Sequence, residues 1–110
     1  MGKKITIAEI RNLSRRIAEA YNPDRIILFG SYATGTPTDA SDVDLLVVMP
    51  FKGKPAQKAC EILARVGTTL PVDILVRSPD QVRQRLAWDD FFISDIINKG
   101  KTLHEAEAAR

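Results

Sequence analysis

Cysteine, histidine and tryptophan each occur once in this 110-residue chain, and each scarcity closes off a class of function. A lone thiol, Cys60, cannot build a disulfide framework. It sits in an apolar helical pattern and reads as a buried, inert side chain. The single histidine, His104, falls in a polar C-terminal stretch and reads as a surface residue without a role. No stretch approaches the ~18 apolar residues that a membrane span needs. Nor does a long apolar run follow the lysines of Met1-Gly2-Lys3-Lys4-Ile5, so the start does not read as a signal peptide. A cytoplasmic protein with no membrane partner is expected. Neither sign of charge is in excess: 16 Lys and Arg stand against 14 Asp and Glu, a net +2. That balance gives no reason to expect direct nucleic-acid binding. Repeats and low-complexity segments are absent as well. The length suits one domain over 1–110 with one core, residues 1–4 and about 104–110 being expected to be flexible.

What is present alternates between helical and extended patterns. Thr6 and Glu9 form a capping box ahead of Ile7, Ile10, Leu13, Ile17 and Tyr21, which predicts a helix over 7–21 stopped by Asn22-Pro23. Its outer face carries Arg11, Arg15 and Arg16, either a solvated surface or a dock for an acidic partner. Arg25–Phe29 reads as a strand ending at Gly30. Asp42–Met49 reads as a second strand whose Leu45-Leu46-Val47-Val48 run predicts burial on both faces. The loop between them has room for one helical turn from Ser31. Pro55 opens a helix with Ala59, Cys60, Leu63 and Val66 inward and Gly67 as its cap. Pro71–Val76 is a third strand. Ser78-Pro79-Asp80-Gln81 starts a further helix containing Val82, Leu86 and Trp88. Asp89-Asp90 breaks it, and Phe92, Ile93, Ile96 and Ile97 form a last helix closed by Gly100. From Thr102 the tail is expected to fray. The order is α-β-β-α-β-α-α, an α+β fold with a small mixed β-sheet covered by helices. Trp88, Phe91 and Phe92 read as core or partner interface, with a stack for a nucleotide base as the less favoured alternative.

Against this ordinary background the acids stand out. A carboxylate in a buried strand costs several kcal/mol unless it meets a positive partner. Asp42 and Asp44 open the second strand two residues apart, so they share one face at a spacing of about 6.5–7 Å, while Val43 and Leu45 point into the core. Asp73, between Val72 and Ile74, repeats the anomaly on the third strand. If the two strands are neighbours, all three acids face one site, and a pair of hard divalent cations is the natural occupant. Ahead of them, Gly30 permits positive φ and close approach of a phosphate to the backbone. Ser31 adds a hydroxyl and an amide. Metal with phosphate points to phosphoryl or nucleotidyl chemistry.

Gly30-Ser31, ten residues, Asp42-x-Asp44 and a later strand-borne Asp73 together resemble the DNA polymerase-β-like nucleotidyltransferase superfamily. The wording Phe29-Gly30-Ser31-x-Ala33-x-Gly35 … Ser41-Asp42-Val43-Asp44-Leu45 is most similar to its minimal nucleotidyltransferase (MNT) branch. The likeness runs from Arg25 to about Leu103. It implies a polymerase-β-like fold and an enzyme that moves a nucleoside monophosphate, AMP from ATP, onto a hydroxyl. It further implies that Gly30 and Ser31 hold the triphosphate, that Asp42 and Asp44 ligate two Mg²⁺, and that Asp73 completes the metal site and serves or orients the attacking hydroxyl. Minimal members are associated with a helical HEPN protein, and in the best-known arrangement they are antitoxins that adenylylate a HEPN toxin. Where the family often carries two arginines, this chain has Tyr32 and Thr34. Lys52, Lys54 and Arg77 are the candidates to compensate. The departure keeps a second function open, a stoichiometric binder of a HEPN partner with catalysis weak or lost. A small-molecule nucleotidyltransferase of the aminoglycoside type is a third, disfavoured because no second domain encloses such a substrate.

Overall fold

A computed structural model describes residues 5–106; the expectation that residues 1–4 and 107–110 are flexible lies outside it. The first helix, α1 (Ile7–Tyr21), begins as expected. Thr6 Oγ1 accepts from Glu9 N, the Glu9 carboxylate accepts from Thr6 N, and Asn22 ends the helix in the left-handed region. Then follow β1 (Arg25–Phe29), the single turn α2 (Ser31–Thr34), β2 (Val43–Val48), α3 (Pro55–Val66), β3 (Val72–Arg77), α4 (Pro79–Ala87), α5 (Phe91–Lys99) and β4 (Lys101–Glu105). Ser78 and Gln81 form the second capping box, and Asp90 caps α5 by accepting from Ile93 N.

The sheet order is β3-β2-β1-β4. β1 runs antiparallel to both β2 and β4, and β2 runs parallel to β3. Side chains alternate between two cores, as pleated strands require. Val43, Leu45 and Val47 join Ile26, Leu28 and the α1 residues Ile10, Leu13 and Ile17 in one, closed by Ile62 and Val66 of α3. Leu46 and Val48 join Ile27 with Val82, Ile93 and Ile96 of α4 and α5 in the other. β2 is therefore buried on both faces, as its apolar run predicts.

Three expectations are corrected. The stretch after Gly100 does not fray: Lys101–Glu105 pairs with β1, and His104 Nε2 lies 3.1 Å from the Pro23 carbonyl oxygen. Its pattern is polar because an edge strand needs only Leu103 to reach the core. Cys60 is exposed; Val66 and Ala59 of α3 face the core as expected, and Ile62 rather than Cys60 completes the buried stripe. Leu86, Trp88, Phe91 and Phe92 are exposed; for the three aromatics that overturns the core reading and not the interface one. The arginines of α1 are exposed, as a surface face requires. Arg15 meets Asn12 and Glu19, and the Arg16 guanidinium donates to the Val66 carbonyl at the end of α3.

Candidate active site

The site forms where β1 ends and β2 and β3 begin. β1 runs into Gly30 at φ 76°, ψ −157°, from which α2 starts. No other residue fits. A side chain at that φ is strained, and a Cβ would strike the Asp44 carboxylate, with Asp44 Cγ only 3.2 Å away. Asp44 packs there because of register: it lies opposite Phe29 of β1 on one side and opposite Asp73 of β3 on the other. Parallel pairing of β2 with β3 thus brings together two acids that are 29 positions apart in the chain. Asp42, exposed, stands just before β2.

The carboxylates act on one another. Burial raises the Asp44 pKa above the usual carboxylate value, and the charges of Asp73 and then Asp42 push it the same way. Among the described residues, no lysine or arginine pairs with these three acids and none accepts a hydrogen bond through its side chain. An uncompensated, half-buried carboxylate flanked by two more is the donor chemistry that a hard divalent cation satisfies. The residues fit such an ion, although as they stand no three Asp, Glu, His or Cys side chains among the described residues are arranged to hold one. Mutual repulsion keeps such groups apart until a cation draws them together. An open cleft of about 270 Å³, lined by Phe29, Asp44, Asp73, Ile74, Leu75 and Phe92, gives access to Asp44 and Asp73.

The two positions that depart from the family motif have other tasks here. The Tyr32 hydroxyl accepts from Ile5 N at 3.1 Å, and its ring packs on the α1 core. The Thr34 hydroxyl turns back toward Gly30 O and Ser31 O, 3.4 Å from each, and toward Thr36 Oγ1 at 3.1 Å. Nor do the expected substitutes reach the site. Because β2 and β3 are parallel, both begin at the acid end and leave from the far one. Arg77 pairs with Val48, four residues beyond the Asp44–Asp73 pair and so about 13 Å along the sheet. Lys52 and Lys54 lie beyond that same end. What the sequence left least determined is the placing of aromatic walls. Phe29 and Phe92 meet edge to face at 6.0 Å beside the acids; base stacking at Phe92 is the less favoured alternative in the sequence, and the position of Phe29 directly before Gly30 is the other hint.

Known proteins are similar to this chain. Residues 10–106 match the model of the nucleotidyltransferase domain. Two Methanocaldococcus jannaschii proteins, both described as proposed protein adenylyltransferases, are similar. One is 40% identical over 80 residues, covering 70% of this chain and 75% of that protein. The other is 30% identical over 81 residues, covering 73% and 77%. A proposed nucleotidyltransferase from Sulfolobus solfataricus superposes with a TM-score of 0.54 at 22% identity, covering 76% of this chain and 84% of that one. A toxin-antitoxin structure with AMP-PNP does so with a TM-score of 0.54 at 20% identity, covering 88% and 74%. At those identities the structures speak for the fold alone.

Proposed function

The chain belongs to the nucleotidyltransferase domain family, and from that premise we propose that it transfers AMP from ATP to a hydroxyl on a partner protein, in a Mg²⁺-dependent reaction. The observation that carries this reading is the Asp44–Asp73 pairing beside the Gly30 turn. In it, Asp42 and Asp44 hold the metal and Gly30 lets the triphosphate approach the backbone, with Ser31 donating to its oxygens. The acceptor hydroxyl oxygen forms a bond to the α-phosphorus, the bond from that phosphorus to the bridging oxygen breaks, and pyrophosphate leaves. Asp73, open to solvent on its strand, orients the hydroxyl and takes its proton. When bound, Mg²⁺ supplies charge neutralisation at the triphosphate and a lower pKa for the acceptor.

The partner we propose is a helical HEPN-family toxin, with this chain as its cytoplasmic antitoxin. Support comes from the adenylyltransferase descriptions of the relatives and from the fold shared with a toxin-antitoxin structure that contains AMP-PNP. A second reading, neutralisation by complex formation with little catalysis, is favoured by the structural employment of Tyr32 and Thr34 where the motif often places cations.

Incubation with radiolabelled ATP, Mg²⁺ and the protein encoded beside this one separates the two. Transfer by the wild type that falls at least about a hundredfold in Asp42→Asn/Asp44→Asn supports catalysis at this site. Equal labelling by both rules the acids out. A stable complex without labelling leaves the binding reading.

A further inference from the structure

Behind the Gly30 turn, between α2 and α5, lies a second cleft of about 300 Å³. Phe29, Gly30 and Thr34 line one side of it, and Phe92, Asp95 and Lys99 the other. Phe29 and Phe92 also line the acid-bearing cleft, so the two hollows share an aromatic wall. A molecule lying across both must change character along its length. On the acid side, Asp44 and Asp73 without a cation call for positive charge, and through a metal ion for phosphate. On the other side the lining is largely apolar, and its one lysine is neutralised by Asp95 at 3.1 Å. Phosphate gains no free charge there, whereas an uncharged flat group gains ring surface. The volume lies at the lower bound of small-molecule pockets, about 300 Å³, which suits one end of a nucleotide rather than the whole.

We infer that the α2–α5 cleft is the nucleoside subsite. The base stacks on Phe92, which is 57% exposed, and the Asp95–Lys99 pair offers its polar edge an acceptor and a donor side by side. The α-phosphate then lies over Gly30, directly beside Asp44, and the β- and γ-phosphates run on along Ser31 at the start of α2. The inference rests on the nucleotidyltransferase reading of that turn and adds to it the residues that hold the base.

Calorimetric binding of ATP and of inorganic tripolyphosphate, both with Mg²⁺, tests it on the wild type, Phe92→Ala, Phe92→Leu and Asp95→Ala. The leucine variant keeps apolar bulk and removes only the flat ring. Wild type is expected to bind ATP more tightly than tripolyphosphate. Both Phe92 variants should lose about tenfold or more for ATP, and Asp95→Ala a smaller factor, with tripolyphosphate affinity unchanged in all three. Loss of both ligands alike, or of neither, overturns the subsite. Wild type binding ATP no better than tripolyphosphate overturns it too. Binding of neither ligand by the wild type overturns the parent reading, and the subsite falls with it.

Discussion

Asp44 is held in an unfavourable state by its own surroundings, and stability should record it. Burial first, then Asp73 and Asp42, raise its pKa. A carboxyl with a raised folded-state pKa contributes stability at low pH and loses it as pH rises through that value. Metal-free protein should therefore lose stability as Asp44 ionises, and Asp44→Asn, which cannot ionise, should be spared. Thermal melts at pH 3.5, below the ordinary carboxylate value, and at pH 8 check this: the variant's melting temperature should exceed the wild type's by more at the higher pH. Added Mg²⁺ should raise the wild-type midpoint and leave the variant's nearly unmoved. At this scale the sequence was most legible. An acid among Val, Leu and Ile announces itself, and so does a glycine before it. Arginine-to-tyrosine replacement at position 32 could not be interpreted, because the hydroxyl's partner is the distant backbone of Ile5.

Elements were legible where local chemistry ends them. Both capping boxes and the bounds of α1 and β1 follow from residues within a few positions. What was not legible is set by distant partners: the parallel register of β2 and β3, the exposure of Cys60 on α3, and β4. Asp90 offers a test of an element's end. Its carboxylate accepts from Ile93 N at 3.1 Å and pairs with Arg85 at 3.2 Å. These contacts, the Ile93 amide first, hold its pKa below the usual value. Asp90→Ala should lower the urea unfolding midpoint, through loosening of the helix that carries Phe92.

Over the whole molecule, the surprise is that the last described segment completes the sheet. β4 covers an edge of β1, and Leu103 packs on the α1-side core while half-buried. If residues from Thr102 were a frayed tail, Leu103→Ala would be silent. Instead it should lower stability by about 1–2 kcal/mol in denaturant titration. The strand order also divides the three acids unequally. β2 has a neighbour on each side, whereas β3 has β2 alone and forms a boundary of the sheet. Backbone openings cost least at such boundaries, so amide exchange along β3 should outpace that of β2. Asp44 is thus anchored on a strand paired on both sides, and Asp73, the residue we propose to meet the incoming hydroxyl, rides on the sheet's boundary strand, where yielding to an arriving acceptor costs less.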